Sequence, residues 1–299
     1  MHVLITGGTG FIGRALCRVL LGQGEAVSVL TRDAKAARFV LPAGALAVED
    51  LGDLPAVPEA AVNLAGENLG RRRWNEAAKR EFAKSRAAGT RKLVEWMRAR
   101  TRKPRVLVSG SAVGYYGARG DAPLTEDAPA AVEFQSELCR AWETEAQRAE
   151  SLGVRVCRIR TGVVLAPDGG ALKAMLPAFR FGFGGHLGDG KQWMSWIHRA
   201  DLIAMILWLI RRDGCFGAYN ATAPHPVPNG EFARLLGAAL HRPAILPVPA
   251  WVLRPLVGPM AHLLLTGQNV VPARALAEGF AFRYPDLAGA FTDILARQA

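Results

Sequence analysis

The sequence contains little cysteine and no long uninterrupted hydrophobic run. Its 299 residues include four cysteines, Cys17, Cys139, Cys157 and Cys215, and no pair of them has the C-x-x-C spacing of zinc or redox sites. This usage indicates neither a disulfide framework nor a zinc site, and no metal is expected. A reducing cytoplasmic location is the expectation that follows. The longest apolar run, residues 202–210, is too short to span a bilayer.

A second apolar stretch, residues 248–265, also argues against a membrane partner. It is interrupted by Pro249, Arg254, Pro255 and Pro259, which a transmembrane helix would not accommodate easily. The chain begins directly with the pattern of a strand, so we expect no signal peptide.

Acidic residues are outnumbered by basic ones, and the formal net charge is +11. Basic patches such as Arg71-Arg72-Arg73 attract the phosphate backbone of nucleic acids. No recognised nucleic-acid-binding motif accompanies the charge. We therefore interpret it as an arginine-rich solvated surface that suits an anionic cofactor or substrate, and predict no nucleic-acid partner.

Glycine is plentiful at one decisive place, the first thirteen residues, MHVLITGGTGFIG. The apolar segment 3–5 has the β-branched content of a buried parallel strand, and a helical pattern opens at Arg14. Three glycines between them permit a tight turn, close approach of backbone amides to a pyrophosphate, and close helix–strand packing. A glycine-rich turn without a ligand is disfavoured by this strand–loop–helix context. The expected cofactor contacts are Gly7, Thr9, Gly10, Phe11, Ile12 and Gly13.

The residue after the second predicted strand, 26–31, selects between the two nicotinamide cofactors. A carboxylate there accepts hydrogen bonds from the adenine ribose, whereas a guanidinium pairs with a 2′-phosphate. Arg32 occupies this position beside Thr31, and Asp33 follows one residue later, where we expect the chain to turn away. The sequence therefore predicts NADP(H).

Further ligand-contacting segments follow the next two strands. Asn63-Leu64-Ala65-Gly66 ends a short strand, and the small residues of this segment would allow backbone to approach the adenine ribose. The expected cofactor contacts here are Leu64, Ala65 and Gly66. A charged helix over residues 75–99 carries Glu81 and Arg86. The strand at 105–109 leads into Ser111, Tyr115 and Tyr116, placing hydroxyls at the carboxyl end of a central strand, where doubly wound sheets bind ligands.

These motifs, in this order, resemble the extended branch of the short-chain dehydrogenase/reductase superfamily. Further motifs resemble, more specifically, those of a subgroup termed only "epimerase family". These motifs are residues 63–67 (NLAGE), 73–74 (RW), 85–86 (SR), 160–165 (RTGVVL), 265–268 (LTGQ) and 279–285 (GFAFRYP). The resemblance implies an α/β fold, a Rossmann-type doubly wound parallel sheet with a smaller C-terminal substrate lobe. The expected division is an NADP(H)-binding domain at 1–166 and a lid lobe at 167–299, with the family's C-terminal segment at about 247–296. The boundary is approximate, and the alternative is that strands beyond it rejoin the main sheet.

One departure from the superfamily pattern limits the functional prediction. Typical members carry Tyr-x-x-x-Lys on the helix after strand five, where tyrosine exchanges the proton and lysine lowers its pKa and holds the nicotinamide ribose. Alignment on Glu143 places Gln135 and Cys139 at these positions. Glutamine does not titrate, and a thiol is not a permanent cation, so the pair is absent. Ser111 fits the family's substrate-positioning serine.

Arg86 could take over part of the role of the missing Tyr–Lys pair. It occupies a position beside the nicotinamide site where members of the extended branch usually have an asparagine. The resemblance implies that Arg86 holds the cofactor and that Glu81 orients it; the alternative is a solvated helix face. It further implies cofactor contacts at Ser109 and Val163. Tyr115 or Tyr116 is the alternative proton donor, or else a packed wall of the pocket.

The second half predicts a substrate lid. A turn at 167–170, an aromatic–glycine loop at 181–186 and an aromatic cluster at 193–196 are consistent with a ligand-stacking wall or with core between two lobes. Lys191 and His198 are further titratable candidates, and His198 is expected to orient the loop before an N-cap at Asp201.

Two functions remain open from the sequence. One is an NADP(H)-dependent oxidoreductase or epimerase acting on an alcohol, a carbonyl or a sugar-nucleotide-like substrate, in a monomer or homodimer. The other is an NADP(H)-binding sensor or scaffold without turnover, which the missing Tyr–Lys pair favours. The retained glycine–aromatic lid favours the enzyme.

Overall fold

The computed structural model of the protein describes residues 1–67, 69 and 74–296. The predicted basic cluster Arg71-Arg72-Arg73, and with it the arginine of the Arg73-Trp74 mark, lies outside the described residues.

A seven-stranded parallel sheet forms the centre of the described chain. The described strands are β1 (His2–Thr6), β2 (Ala26–Leu30), β3 (Leu46–Val48), β4 (Ala60–Asn63), β5 (Val106–Ala112), β6 (Arg155–Thr161), β7 (Val163–Leu165), β8 (Trp193–Met194), β9 (Trp196–His198), β10 (Gly217–Ala221) and β11 (Val227–Pro228). The order of strands in the sheet is β10-β6-β5-β4-β1-β2-β3, which confirms the predicted Rossmann-type doubly wound class. Its central strands are apolar and buried on both faces, as expected of a parallel sheet covered by helices.

Helices cover both faces of the sheet. The described α-helices are α1 (Phe11–Gly22), α2 (Ala34–Ala37), α3 (Glu76–Arg98), α4 (Phe134–Gln147), α5 (Gly170–Arg180), α6 (Arg199–Arg211), α7 (Asn229–Ala239), α8 (Ala250–Val257), α9 (Ala261–Leu265), α10 (Ala273–Ala277) and α11 (Leu287–Ala296). On one face, Leu16 and Leu20 of α1 pack with Met205 of α6. On the other, Leu93 and Met97 of α3 pack on the sheet. Their burial contributes the hydrophobic free energy that fixes each helix over the strands.

The register of the sheet brings polar residues together at its carboxyl edge. Thr6 is opposite Asn63, Asn63 is opposite Ser109, and Ser111 is opposite Arg160. Because all seven strands are parallel, their carboxyl ends lie at one edge, where open α/β sheets bind ligands.

The second half of the chain contributes to the main sheet as well as to a separate lobe. Strand β10 pairs with β6 at the sheet edge, so the sheet extends beyond residue 166. A second core, which includes Trp196, Phe232 and Phe291, joins α5, α7 and α11. Trp196 is fully buried and therefore belongs to core, whereas Trp193 is partly exposed. Of the residues described, no helix has both the length and the apolar character needed to cross a membrane.

Side-chain caps fix where α3 and α6 begin. Asn75 accepts a hydrogen bond from the backbone N–H of Ala78, so α3 begins at Glu76, close to the predicted start. The predicted N-cap at Asp201 is wrong: His198 caps α6 by accepting from the N–H of Ala200. Asp201 is buried instead and accepts from the backbone N–H groups of Arg283 and Tyr284.

Candidate nucleotide and substrate site

The glycine loop between β1 and α1 is held by close backbone contacts. Gly7 has a φ of +73°, and a Cβ added there would lie 2.7 Å from the Leu64 carbonyl carbon. A Cβ at Gly13 would lie 2.3 Å from the Gly7 carbonyl oxygen and 2.6 Å from the Gly8 Cα. At Gly10 the nearest such atom is the Gly7 oxygen at 3.1 Å. Gly7 and Gly13 thus permit the turn and the packing, while Gly10 leaves open backbone beside the helix start.

The N-terminus of α1 has the properties of an anion site. No side chain caps it, and no acidic residue occurs in its first turn. Thr9, Phe11 and Ile12 lie at this helix start and are partly exposed. The Nε of Arg14 is buried without a hydrogen-bond partner among the described residues. Free N–H groups and the helix dipole at such a terminus favour a phosphate, so these residues fit the pyrophosphate of a dinucleotide.

The end of β2 is arranged for a 2′-phosphate rather than a 2′-hydroxyl. Asp33 caps α2 by accepting from the N–H of Ala36 at 2.8 Å, so its carboxylate is already engaged. Thr31 lies beside it within hydrogen-bonding distance of the Asp33 backbone. Arg32 is exposed, and no ion pair within the described ranges engages its guanidinium. The Asp33 carboxylate is directed at the N–H groups of α2, whereas the Arg32 guanidinium has no ion-pair partner in the described residues, which suits a phosphate.

A buried polar chain holds the next strand ends in place. Thr6 donates to the Asn63 side-chain oxygen at 2.6 Å, and the Asn63 amide donates to Thr90 at 2.7 Å and to Ser109 at 3.2 Å. Leu64 and Ala65 follow directly, partly exposed at the cleft. The predicted cofactor contact through the Ser109 side chain needs correction, because Ser109 is 0% exposed and its hydroxyl binds Asn63. Its role in this arrangement is to orient the strand ends.

Arg86 of α3 is held at the cleft by backbone and aromatic contacts. Its guanidinium donates to the Glu67 carbonyl oxygen at 2.9 Å and lies 5.4 Å from the Trp142 ring centroid. A Cβ at Gly66 would lie 3.1 Å from the guanidinium carbon, so the two residues are in close contact. Burial lowers the pKa of Arg86 from its ordinary value. The expectation that Glu81 orients Arg86 is wrong, because Glu81 is exposed and forms no ion pair with it.

Ser111 belongs to a buried charged network that sequence reasoning missed. Its hydroxyl donates to Glu143 at 2.7 Å, and Glu143 also accepts from Arg160 at 2.9 and 3.0 Å and from Arg158 at 3.3 Å. Arg160 is 3% exposed. Burial by itself would lower the pKa of Arg160, but the hydrogen bonds and charge of Glu143 outweigh it and raise that pKa. A charged residue within an apolar strand pattern was the available signal.

The two tyrosines after β5 occupy different environments. Tyr116 is 0% exposed, donates to Asn220 at 2.6 Å and accepts from Arg160 at 2.9 Å. Burial raises the pKa of Tyr116 to about 12. Tyr116 is therefore unsuited to the predicted role of proton donor and serves as packing with both polar partners internal. Tyr115 is partly exposed, with the Arg160 guanidinium 3.5 Å from its ring centroid.

The positions of the missing Tyr–Lys pair are buried beneath this site. The Cys139 thiol donates to the Ala112 carbonyl at 3.7 Å, and burial raises the Cys139 pKa to about 11. A neutral buried thiol cannot supply the lysine's charge. Gln135 is 6% exposed, and its amide donates to Glu133.

The second half of the chain closes over the nucleotide loop. Gly169 and Gly170 pack on the Phe11 ring, and a Cβ at Gly169 would lie 2.3 Å from it. Arg199 lies 4.8 Å from the centroid of the same ring. Val163, a predicted cofactor contact, is partly exposed after β6 and donates its N–H to the Ser195 carbonyl. In the described part of the molecule, no group of three His, Cys, Asp or Glu side chains could hold a metal ion.

Comparison with protein families agrees with this geometry. Residues 3–221 match the NAD dependent epimerase/dehydratase family, and residues 248–294 match a domain of unknown function, DUF1731. The chain therefore belongs to the NAD dependent epimerase/dehydratase family of extended short-chain dehydrogenases/reductases, with the DUF1731 domain at its C-terminal end.

Similarity to individual proteins indicates the subgroup of the family to which the chain is most similar. The chain is 42% identical over 292 residues to an SDR39U1 homologue of Arabidopsis thaliana, described as a chloroplastic epimerase family protein; the match covers 95% of this chain and 84% of the relative. A crystal structure of human SDR39U1 with NADPH is 36% identical, with a TM-score of 0.90 and 99% of each chain covered. A UDP-galactose 4-epimerase superposes with a TM-score of 0.75 at 20% identity, over 100% of this chain and 99% of that one, which shows the fold alone.

Proposed function

We propose that this protein binds NADP(H) and is an oxidoreductase or epimerase that acts on an alcohol or carbonyl group. The observation that carries the proposal is the uncapped N-terminus of α1 beside a free Arg32, with Asp33 engaged elsewhere. The human relative solved with NADPH supports the same cofactor. When bound, NADPH would supply a hydride, that is one proton together with two electrons, to a carbonyl carbon.

The residues of this chain divide the work of binding. The α1 terminus would hold the pyrophosphate, Arg32 the 2′-phosphate, and the backbone at Leu64–Gly66 the adenine ribose. Arg86, fixed against Trp142, would hold the nicotinamide half by its permanent charge. The Ser111 oxygen, whose proton is donated to Glu143, has lone pairs free to accept a hydrogen bond from a substrate hydroxyl.

A binding protein without turnover is the second candidate, favoured by Gln135 and Cys139 at the Tyr and Lys positions. A carbonyl-substrate panel with NADPH, monitored at the nicotinamide absorbance, separates the two candidates. Oxidation of NADPH by a panel member supports the enzyme, and tight NADPH binding without oxidation across the panel supports the sensor or scaffold.

The contribution of Arg86 is testable by fluorescence titration. Arg86→Ala should raise the NADPH dissociation constant at least tenfold, because it removes a buried, pre-oriented charge. Lys84→Ala, two residues earlier and exposed on the same helix, is the matched control and should leave it unchanged. If Arg86→Ala left the NADPH dissociation constant unchanged, Arg86 would have a purely structural role.

For partners and location we propose a small-molecule substrate, a monomer or homodimer, and no nucleic-acid or membrane partner. A reducing compartment such as the cytoplasm suits the four cysteines, all free and buried. Sedimentation velocity of the purified protein tests the oligomeric state.

A further inference from the structure

The first residues of α1 and α6 lie side by side. The guanidinium carbon of Arg199, which opens α6, is 4.8 Å from the ring centroid of Phe11, which opens α1. Farther along, the two helices share one core through Leu16 and Met205, so their starting points are fixed relative to each other. The second half of the chain therefore places a cation one side chain away from the start of α1, where the pyrophosphate is expected.

The turn that precedes α5 also packs on the Phe11 ring. A Cβ at Gly169 would lie 2.3 Å from Phe11 Cδ2, and one at Gly170 would lie 3.2 Å from Phe11 Cε1. Gly170 also has a φ of +67°, which favours glycine. Asp168 of the same turn forms an ion pair with Arg199, with 2.6 Å between Oδ1 and Nη1. The fold thus brings Phe11, Asp168 and Arg199 together at the start of α1.

The Arg199 guanidinium has donors to spare. A guanidinium carries five N–H donors, and of the residues that the structure describes, Asp168 is the acceptor paired with it. The Arg199 side chain is 18% exposed and the Asp168 side chain is 48% exposed. Because solvent reaches this ion pair, the attraction within it is weak. A stronger acceptor at the start of α1 can therefore take Arg199 from Asp168 at little cost.

Arg199 is not placed to stabilise the helix that it opens. The positive end of a helix dipole disfavours a cation in the first turn, and Arg199 is the first residue of α6. The α6 terminus is capped without it, because His198 accepts from the N–H of Ala200. An arginine here departs from a local rule of helix stability, and such departures are expected at functional sites.

The start of α1 offers an anion the N–H groups that the helix leaves free. The N–H of Arg14 is the first to bond within the helix, to a carbonyl oxygen one turn earlier at 3.0 Å. The N–H groups of Phe11, Ile12 and Gly13 precede it and have no acceptor in the described chain. A pyrophosphate bound to these groups would come within reach of Arg199.

We propose that Arg199 is a further contact of the NADP(H) pyrophosphate, supplied by the second half of the chain, and that it leaves Asp168 when the cofactor binds. This inference rests on the proposed NADP(H) binding. A phosphate accepts two parallel hydrogen bonds from a guanidinium. A pyrophosphate also carries more negative charge than one carboxylate, so the exchange is favourable, and the half-exposed Asp168 is left to solvent.

The contact is tested by fluorescence titration with NADPH at about 0.15 M salt, which screens distant charges. Arg199→Gln should raise the dissociation constant at least tenfold, because the charge and the paired donors are lost. Arg199→Lys keeps the charge alone and should raise it about threefold. Arg234→Gln is the matched control, since Arg234 also lies 2.6 Å from a carboxylate, that of Glu231, but on α7. An unchanged constant in Arg199→Gln would overturn the proposal.

The exchange is tested by Asp168→Asn, which removes the competitor for Arg199. NADPH should bind this variant at least threefold more tightly than the wild type. In an Arg199→Gln background the same change should alter the affinity less than twofold, because the two effects are coupled. Glu231→Gln removes the equivalent carboxylate on α7 and should leave the affinity unchanged.

A purely structural ion pair gives a different result. In that case Asp168→Asn would weaken NADPH binding or leave it unchanged, and either outcome would overturn the proposal. Equal tightening in both backgrounds would show a general effect of charge and would overturn it too. Thermal unfolding checks that each variant is folded. If Arg199→Gln does not fold, Arg199→Lys and Asp168→Asn carry the test, because they should shift the NADPH affinity in opposite directions.

The two proposals fail in different ways. A wild-type protein that binds NADPH, together with an Arg199→Gln variant that binds it equally well, retains the proposed function and loses this inference. A wild-type protein that does not bind NADPH loses both.

Discussion

Two alanine substitutions in the glycine loop should affect different properties. Gly13→Ala should lower the stability of the protein, and Gly10→Ala should weaken NADPH binding. At Gly13 an added methyl group would meet three backbone atoms, Gly7 O, Gly8 Cα and Gly8 C, at 2.3, 2.6 and 2.9 Å. Backbone cannot move aside as a flexible side chain can, so the cost of overpacking lies near the upper end of its usual range, about 3 kcal/mol. The higher helix propensity of alanine returns about 1 kcal/mol. The net loss is therefore about 2 kcal/mol, or roughly 3 °C in Tm for a chain of this length.

At Gly10 the same methyl group meets only one atom, the Gly7 oxygen at 3.1 Å, and the backbone is extended at φ −78° and ψ 176°. Alanine lowers the conformational entropy of the unfolded chain, and this stabilisation offsets the close contact. The free energy of unfolding should therefore stay within about 1 kcal/mol of the wild type. The methyl group would nevertheless occupy the space where a phosphate approaches the helix terminus. The NADPH dissociation constant should rise at least tenfold, equivalent to about 1.4 kcal/mol.

Thermal unfolding and NADPH fluorescence titration measure the two effects separately. Gly22→Ala is the control, because beyond its chain neighbours and the adjoining backbone of α1 no described atom lies within 4 Å of an added Cβ at this last residue of the helix. It should match or slightly exceed wild-type stability and bind NADPH equally well. If Gly10→Ala bound NADPH as tightly as the wild type, the phosphate would not approach this part of the loop and the reasoning would be refuted.

The remaining predictions concern single polar side chains. Arg32→Asp should weaken NADPH binding far more than NADH binding, and equal losses in a paired titration would contradict the 2′-phosphate assignment. Ser111→Ala should abolish turnover while NADPH affinity is unchanged, so retained turnover would exclude the serine from the mechanism. Tyr116→Phe should lower the free energy of unfolding in urea by about 1–3 kcal/mol, because Asn220 and Arg160 lose a buried partner. Its NADPH affinity and turnover should stay at wild-type values, and loss of turnover in a folded variant would restore the proton-donor role.

Features that depend on neighbouring residues were predictable from the sequence. The β1–loop–α1 unit follows from apolar periodicity and three glycines within thirteen residues, and α3 follows from a helical pattern with Asn75 as its cap. The roles of Arg32 and Asp33 could be distinguished because adjacent residues at a strand end point in different directions. Only the first of them was therefore expected to contact the cofactor. These signals are local, so one sequence suffices to read them.

Features that depend on distant contacts were not predictable. Ser109 and Tyr116 appeared as site residues because a strand end predicts accessibility, yet their partners Asn63 and Asn220 lie 46 and 104 residues away. Glu143 was used only to align the helix, although it pairs with Arg160 across 17 residues. No periodicity in the sequence encodes such pairings, because they arise from the order of strands in the sheet.

The domain division was predictable only in outline. No clear linker marks the boundary that the sequence analysis placed near residue 166, and strands beyond it were allowed to rejoin the main sheet. Strand β10 lies in the sheet beside β6, after the α5 and α6 segments. Which later strand returns follows from long-range pairing, which the short segment GAYNA at 217–221 does not predict.

The most direct measurement is a fluorescence titration of the purified wild-type protein with NADPH and, separately, with NADH. A free Arg32 beside an engaged Asp33 predicts saturable NADPH binding at least tenfold tighter than NADH binding. Equal affinities, or a preference for NADH, would contradict the assignment of the β2 end as a 2′-phosphate site. Absence of binding to both would contradict the account of the glycine loop as a dinucleotide site.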